Sequence, residues 1–203
     1  MRKIILTLLF FSTFFANAQY CIFFEFEAKE PEMVVSTLKG MMETDWGKNL
    51  QATKSLFAYL FNGDNKATHS VQFCFQDEEG VASFMSSWAQ SSEAQLFGEK
   101  LGKFTTEISQ SVNTPAWHKN DWGNDNAFMM YQMKVSDPGL YLKEFMDFSQ
   151  KIAKKLKFEE NSYGVAYPII GRTKEFSHFV WIGSPDIKTA LANTKKNVFR
   201  PCV

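Results

Sequence analysis

The chain has 203 residues, of which 45% are hydrophobic and 16% aromatic, so it is long enough to bury a sizeable core as one domain or as two small ones in contact. Its 22 basic and 22 acidic residues cancel to a formal net charge of zero. No overall electrostatic field therefore recruits nucleic acid or an anionic membrane, and we expect neither as a partner.

The amino-terminal segment predicts a leader for export. Two basic residues, Arg2 and Lys3, precede the apolar run 4–15, and residues 16–18 have the small-x-small pattern that a signal peptidase recognises, so cleavage is expected after residue 18. The alternative is a membrane-anchoring helix, but about 12 apolar residues fall short of the roughly 20 needed to span a bilayer. We therefore expect an exported protein, periplasmic or extracellular, with no stable membrane insertion after cleavage.

The three cysteines, Cys21, Cys74 and Cys202, are odd in number and cannot form a disulfide framework. For the pair Cys21 and Cys74, we take the two strands that carry them as parallel with level starts. About four residues of offset, at roughly 3.3 Å each, then separate the two thiols beyond disulfide reach. The sequence therefore predicts free or buried thiols.

The first half of the chain predicts one unit of four strands and two helices. Ile22, Phe24 and Phe26 share one face of the first strand, which is typical of packing against a core. Proline suits a first helical turn and aspartate suits a helix N-cap, so Pro31 and Asp77 mark two helix starts. In chain order the elements are a strand at 20–28, a helix from Pro31 to about Gly47, a hairpin at 55–76 turning at 62–65, a helix after Asp77 and a strand at 105–112. This β-α-β-β-α-β order is the split βαβ or ferredoxin-like unit.

The pattern then starts again. Residues 113–126, rich in Asn, Asp, Gly and Pro, predict a connector. The sequence offset from Pro31 to Pro138 is 107, and that from Gly63 to Gly171 is 108, so the offset is nearly constant and indicates an internal repeat. The predicted elements of the second half are a strand at 127–135, a helix begun by Ser136-Asp137-Pro138, a hairpin at 162–184 turning at 171–174, and a last helix after Ser184-Pro185.

Two ferredoxin-like units in one exported chain resemble a tandem, single-chain member of the dimeric α/β-barrel superfamily, which includes the antibiotic-biosynthesis monooxygenase-like proteins. The resemblance covers about residues 20–203 and rests on element order and repeat spacing, with no catalytic motif to carry over. It implies an α+β fold in which antiparallel sheets join into a barrel with helices outside, and a ligand bound within the barrel or between sheet and helices. The predicted organisation is unit 1 at 19–112, the connector at 113–126 and unit 2 at 127–203.

The repeat leaves unit 2 one strand short. With the offset of 108, Arg200 corresponds to Ser92 and Val203 to Gln95, and both counterparts precede the fourth strand of unit 1. Two explanations stay open: the coding sequence is truncated near residues 199–203, or the fourth strand of unit 1 serves both sheets. We favour truncation.

One face of the predicted sheet has the composition of a small-molecule pocket. If Ile22, Phe24 and Phe26 face the helices, the opposite face is mostly apolar with a few polar groups. It comprises Phe23, Glu25, Glu27, Ser70, Gln72 and Cys74 in unit 1 and, by the repeat, Met130, Gln132, Lys134, His178, Val180 and Ile182 in unit 2. The predicted ligand-binding residues are Phe23, Gln72, Met130, Gln132 and Lys134. The competing interpretation is a solvated face with its charged side chains in water.

His178 is the strongest candidate for acid/base chemistry, because it is one of three histidines and lies in a strand predicted to be half-buried. Glu25 is expected to orient His178, or to act as a base itself if its surroundings are apolar. The competing interpretations are a hydrogen-bonded structural histidine and an exposed glutamate.

No metal and no cofactor are expected. His69, His118 and His178 lack metal-ligand spacing, and the sequence contains no C-x-x-C and no EF-hand loop. The G-x-S-x-G, G-x-G-x-x-G and P-loop motifs are also absent, which argues against a serine hydrolase of that type, a dinucleotide site and a nucleotide phosphate site. Three roles stay open for the aromatic side chains of the connector: to cap a barrel mouth, to stack on a planar or sugar ligand, or to anchor the connector. These side chains belong to Trp117, His118 and Trp122.

Three functions stay open at this point. The first is an exported, non-catalytic module that binds a small apolar or aromatic molecule or a partner chain. The second is a cofactor-independent monooxygenase or isomerase of a small aromatic or enolisable substrate, with His178, Gln72 and Gln132 as donors to an enolate-like anion. The third is a structural or assembly protein that uses open sheet edges. The chain is expected to be a monomer, with its two units as a pseudo-dimer, or a homodimer.

Overall fold

Seven strands and six helices lie within the residues that the computed structural model describes, which are 19–123, 125–156, 159–171 and 176–195. The strands are β1 (Tyr20–Ala28), β2 (Thr53–Ala58), β3 (His69–Phe75), β4 (Thr105–Lys119), β5 (Ala127–Met133), β6 (Tyr163–Ile170) and β7 (His178–Ser184). The helices are α1 (Pro31–Glu43), α2 (Asp45–Asn49), α3 (Glu78–Gln90), α4 (Ser92–Phe104), α5 (Pro138–Leu156) and α6 (Ile187–Lys195). None of these helices has the length and apolar character needed to cross a membrane. The predicted leader and Cys202 lie outside the described residues.

The seven strands form one antiparallel sheet in the order β2-β3-β1-β4-β6-β7-β5. The first four strands follow the order of a ferredoxin-like unit, and β6-β7-β5 repeat the order of β2-β3-β1. The sheet curls until its first and last strands approach each other, since the ring centroids of Phe57 on β2 and Phe128 on β5 are 5.4 Å apart. The predicted α+β fold, two ferredoxin-like units whose antiparallel strands form a barrel-like sheet, is confirmed.

The long strand β4 belongs to both units. Its first part pairs with β1 from Thr105 to Asn113, and its second part pairs with β6 from Val112 to Lys119. The predicted connector at 113–126 is therefore wrong in its first half, where the strand continues. Pro115 fits there because it lies beside a shift in the register of the β4–β6 pair, where a missing N–H is tolerated. Of the two explanations for the short second unit, a shared fourth strand is observed, and truncation stays a prediction.

Unit 1 packs α1, α3 and α4 against one face of its strands. Ile22 of β1 is 3% exposed, and Phe84 at the centre of α3 is 1% exposed with its ring centroid 5.0 Å from that of Phe73 on β3. Each fully buried side chain of this size contributes about 1.5–3 kcal/mol. The Asp77 carboxylate accepts a hydrogen bond from the Gly80 N–H at 2.8 Å, which confirms the predicted N-cap.

Unit 2 places α5 on the same side of the sheet. Phe145 of α5 packs with Val165 of β6 and Val180 of β7 in a buried cluster. Trp117, from the second half of β4, joins this cluster with its ring centroid 6.0 Å from that of Phe145. The helices of both units therefore cover one face of the sheet and leave the other face to the interior of the curl.

Cys21 and Cys74 form a disulfide with their Cα atoms 4.1 Å apart, so the prediction of free thiols is wrong for this pair. The strands β1 and β3 are antiparallel, not parallel, and their register sets Cys21 directly opposite Cys74. Directly opposite residues of an antiparallel pair lie about 4.5–5.5 Å apart, which is within disulfide reach. The bond therefore ties the first strand of unit 1 to its third.

Candidate functional site

The sheet has an outer face, covered by the helices, and an inner face, turned toward the axis of the curl. On β1 the outer face carries Ile22, and the inner face carries Phe23 and Glu25. Phe23 lies opposite Gln72 of β3, and its ring centroid is 6.0 Å from that of Phe179 on β7. The inner faces of the two units therefore contact each other across the interior of the curl.

Strand β5 contributes further predicted residues to the inner face. Met130 lies opposite Trp181 and Gln132 lies opposite Phe179, so both share the face that Phe179 presents to unit 1. Met130 is 37% exposed, and Gln132 is also exposed. Lys134 follows the last residue of β5 and is exposed. Four of the five predicted ligand-binding residues thus lie on one face, while Lys134 lies beyond its strand.

His178 lies on the outer face. It is opposite Met133 in the register, and its ring centroid is 6.3 Å from that of Tyr141 on α5. Its Nδ1 is 3.0 Å from the Ser177 Oγ. The prediction that His178 shares a face with Glu25 is therefore wrong, and Glu25 does not orient it. An acid/base role for His178 stays a prediction.

The error about His178 comes from a change of offset inside the repeat. Phe23 pairs with Gln72 in unit 1. The counterpart of Phe23 is Met130, at an offset of 107, and Met130 pairs with Trp181, whose offset from Gln72 is 109. A single offset of 108 therefore misplaces β7 by one position, and a slip of one position moves every side chain to the opposite face. The same slip misplaced Val180 and Ile182, which pack in the helix-covered clusters of unit 2.

Glu25 is the centre of a polar cluster on the inner face. Its Oε1 accepts a hydrogen bond from the Tyr59 hydroxyl at 2.6 Å, and its Oε2 accepts one from the Ser109 hydroxyl. Ser70, which is fully buried on β3, extends the cluster toward Gln72. Burial and the adjacent Glu25 charge raise the pKa of Tyr59, so Tyr59 remains a proton donor at neutral pH.

Sequence reasoning did not identify Tyr59 and Ser109 as members of this cluster. Both occur at positions that strand alternation could have supplied. Tyr59 follows β2 in phase with Phe57, and Ser109 lies opposite Glu25 in the β1–β4 register. The spacing alone gives the face of each residue, but only the register brings three different strands to the same carboxylate.

The aromatic residues of the predicted connector divide between the two faces. Trp117 lies on the outer face against Phe145. His118 and Trp122 lie on the inner side, where the ring centroids of His118 and Trp122 are 5.0 Å apart and that of Trp122 is 5.6 Å from Trp181. These contacts favour the interpretation in which the aromatic rings anchor this segment to unit 2.

A cavity of about 360 Å³ lies on the outer face of unit 1, between α4 and the strands β1 and β4. Five aromatic residues contribute to its walls: Phe24, Phe26, Phe73, Trp88 and Phe97. Polar groups border it on the strand side, at Glu25, Thr105, Glu107 and Gln110. Of these residues, Glu25 turns its carboxylate to the inner face, where it accepts hydrogen bonds from Tyr59 and Ser109. A mostly apolar enclosure with a few polar groups is typical of a small-molecule site.

Two glycines of α4 leave room for this cavity. Gly98 and Gly102 are four residues apart and therefore lie on the same side of the helix, where both line the cavity. A Cβ atom at Gly102 would meet no heavy atom within 4 Å. The predicted pocket was on the inner face, so sequence reasoning missed this cavity, although two glycines one helical turn apart were a signal for it.

Two further features bear on the chemistry. A hollow of about 460 Å³ lies along α1, but a single helix lines it, so it is a surface depression and not an enclosure. Within the described ranges, no three His, Cys, Asp or Glu side chains are grouped so that they could hold a metal ion.

No family model and no curated protein sequence matches this chain. Solved structures do resemble it. A candidate monooxygenase from Fusobacterium nucleatum subsp. nucleatum matches with a TM-score of 0.58 at 15% identity, covering 91% of this chain and 83% of that protein. A mutant chlorite dismutase from Candidatus Nitrospira defluvii matches with a TM-score of 0.52 at 10% identity, covering 87% of this chain and 81% of that protein.

A candidate chlorite dismutase gives a similar result, with a TM-score of 0.53 at 12% identity and coverage of 89% of this chain and 85% of that protein. At such low identities the likeness shows the fold and not the activity. The chain therefore has the ferredoxin-like, dimeric α/β-barrel fold that these proteins share.

Proposed function

We propose that this protein is exported and binds a small, neutral and largely apolar molecule in the cavity beneath α4. The single observation that supports this most strongly is the cleft itself, which is partly open to solvent, has a volume of about 360 Å³ and is walled by aromatic rings. Small-molecule sites have volumes of about 300–1,000 Å³ and mostly apolar linings. An apolar body of matching size would gain roughly 25 cal/mol for each Å² of apolar surface removed from water.

The polar border restricts the chemistry of the ligand. Glu107 borders the cavity, and its lining residues in the described chain include no basic side chain. A carboxylate or phosphate ligand would be repelled by this acidic group, whereas a hydroxyl or amide group would find an acceptor. The ligand class is therefore an uncharged aromatic or aliphatic molecule with a hydrogen-bond donor near one end.

Two independent features support export. The predicted leader at residues 1–18 is the first. The Cys21–Cys74 disulfide is the second, because disulfides form and persist mainly in oxidising compartments outside the cytosol. The leader would then deliver the chain to the compartment where this bond forms.

A cofactor-independent monooxygenase or isomerase is the second candidate. It is favoured by Glu107, which borders the cavity opposite the helix-facing Phe26 and whose carboxylate could act as a general base. If the protein converts the molecule that it binds, Glu107→Gln should abolish product formation while binding persists, and unchanged turnover would exclude Glu107 as the base. His178 does not line this cavity and has no part in this proposal.

Filling the cavity at Gly102 tests the binding proposal. We expect Gly102→Leu to weaken binding of N-phenyl-1-naphthylamine, an uncharged apolar fluorescent probe, by at least about tenfold, or about 1.4 kcal/mol. The new side chain occupies the open space beside Gly102 that the probe would otherwise fill. The measurement is a fluorescence titration of the wild type and the variant.

Gly40→Leu is the matched control. Gly40 is also a helical glycine, on α1, and a Cβ atom there would also meet nothing within 4 Å. Both substitutions replace glycine in a helix and should stabilise the fold by about 0.5–1 kcal/mol, so a folding defect does not explain a loss of binding. Equal probe affinity in Gly102→Leu and Gly40→Leu would refute the proposed site.

A further inference from the structure

Helix α5 exposes an aromatic side chain at a position that unit 1 covers. In unit 1, α4 packs along α1, and Met41 of α1 is 3% exposed. With the offset of 107 that relates the starts of α1 and α5, the counterpart of Met41 is Phe148, which is 51% exposed. By the same offset the counterpart of α4 would begin at residue 199, outside the described residues. Within the part of unit 2 that the structure describes, half of the Phe148 side chain is therefore left in contact with water.

Phe148 belongs to an exposed flank of α5 on which charge is separated along the helix. At 3.6 residues per turn, five other exposed residues lie within about 100° of Phe148 around the helix axis, on the side away from the buried Phe145 and Ser149. These five are Leu140, Glu144, Asp147, Lys151 and Lys155. We call the six residues the α5 flank. Its acidic residues precede Phe148 in the chain, and its basic residues follow it.

The stability of the helix itself does not account for this separation. The macrodipole acts on charged side chains in the first and last turns of a helix. Since α5 spans Pro138–Leu156, Glu144 and Lys151 each lie more than one turn from its ends. Glu144 also has no basic residue three or four positions away, where a pair on the same helix could form. The Glu144 charge is therefore available to a partner outside its own helix.

We propose that the α5 flank is an interface between two copies of this chain, whose α5 helices pack antiparallel about a twofold axis. In such a contact residue i of one copy meets residue j of the other, and j meets i. With the axis between positions 147 and 148, Glu144 meets Lys151 of the partner subunit. By the same symmetry, Leu140 packs against the apolar stem of Lys155 of the partner subunit.

Charge complementarity selects this arrangement. Antiparallel packing sets the acidic half of each α5 flank against the basic half of the other, so the pairs attract at both ends of the contact. In a parallel pair, Glu144 would face Glu144 of the partner subunit and the lysines would face one another, and both contacts would repel. The two Phe148 rings lie beside the axis, where each removes apolar surface of the other from water.

The dimer is reversible, because the α5 flank is small. Six residues in each copy are fewer than the roughly 20–30 a side of a standard stable interface. We therefore expect a dissociation constant in the micromolar range, with exchange between monomer and dimer. The α5 flank contains none of the residues that line the cavity beneath α4, so this association does not depend on the proposed ligand.

Sedimentation velocity over a series of protein concentrations tests the proposal. The wild type should pass from monomer to dimer within the series. Glu144→Lys and Lys151→Glu should each weaken association by at least about tenfold, because each sets like charges together at two symmetric contacts. An equimolar mixture of these two variants should associate like the wild type, because all the facing charges are then opposite again.

Lys143→Glu is the matched control for Lys151→Glu. It makes the same change of charge at an exposed residue of α5 outside the flank, and it should associate like the wild type. Phe148→Ala should also weaken association, whereas Leu191→Ala should not, although Leu191 on α6 is exposed to a similar extent, 52%. Circular dichroism checks that each variant is folded.

Three outcomes would overturn the proposal. The first is a wild type that stays monomeric throughout the series. The second is equal weakening by Lys143→Glu and Lys151→Glu, which would make net charge and not the α5 flank responsible. The third is a mixture of Glu144→Lys and Lys151→Glu that associates no better than either variant alone, since antiparallel pairing requires the mixed dimer to form.

Discussion

Replacing Cys21 and Cys74 together with alanine should lower the free energy of unfolding by about 4 kcal/mol. The two residues are 53 apart in sequence, so the bond closes a long loop and restricts the conformations open to the unfolded chain. Without the bond, the unfolded chain gains that conformational entropy. Equilibrium unfolding in urea measures the effect, and the variant should also show a larger dependence on denaturant because its unfolded state is more expanded.

Wild-type protein unfolded under reducing conditions is the control for this experiment. Reduction breaks the same bond and leaves the side chains in place, so it should give nearly the stability of the double variant. If the free energies of unfolding of oxidised and reduced protein differ by less than about 1 kcal/mol, the observed pairing is contradicted. Ordinary surface substitutions already change the free energy of unfolding by about 0.5 kcal/mol, so a disulfide must have a clearly larger effect.

Gly164→Ala should destabilise the protein by about 3 kcal/mol or prevent folding. A Cβ atom at this position on β6 would lie 2.6 Å from the backbone oxygen of Trp117, 2.7 Å from the Cβ of His118 and 2.5 Å from the ring of Trp181. The backbone oxygen belongs to the strand paired with β6, so it moves only if β4 moves with it. The strain therefore falls on the junction where the two units share β4.

The control for Gly164→Ala is Gly102→Ala. A Cβ atom at Gly102 meets no neighbour within 4 Å, and alanine is the better helix former, so this variant should gain about 0.5–1 kcal/mol. Thermal unfolding followed by circular dichroism compares the two variants. Equal stabilities for Gly164→Ala and the wild type would show that the close contact of β4, β6 and Trp181 is incorrect.

The order of elements could be predicted from local signals in the sequence. Pro31 begins α1 and Asp77 caps α3, as expected from their chemistry at a helix start. Gly63 and Gly171 have positive φ angles of 56° and 75°, which glycine adopts most easily, so glycine at these two positions was a readable signal. The rest of the second predicted turn, at 172–174, lies outside the described residues. Each of these signals acts within a few residues, where sequence and conformation are directly linked.

Features that depend on pairing between distant strands could not be predicted in the same way. The Cys21–Cys74 bond required the direction of β1 relative to β3. The face of His178 required a repeat offset of 109, whereas the turns indicated 108. Since strand side chains alternate with a period of two, an error of one position was enough to move His178 to the wrong face.

The polar cluster of the inner face and the cavity beneath α4 differ in how far the sequence revealed them. Glu25 and Phe23 were identified from alternation along a single strand, so the inner face was partly foreseen. The cavity beneath α4 arises where Gly98 and Gly102 pass over β1 and β4, and this crossing is a product of tertiary packing. Only the arrangement of helix and sheet together shows that the two glycines line a cavity.

The most direct test of the central claim is native mass spectrometry of the protein purified from its own host, in the wild-type form and as Gly102→Leu and Gly40→Leu. If the cavity beneath α4 binds a small molecule, the wild type and Gly40→Leu should carry a non-covalent mass that Gly102→Leu lacks. The bare polypeptide mass in all three proteins, or the same bound mass in all three, would contradict the claim.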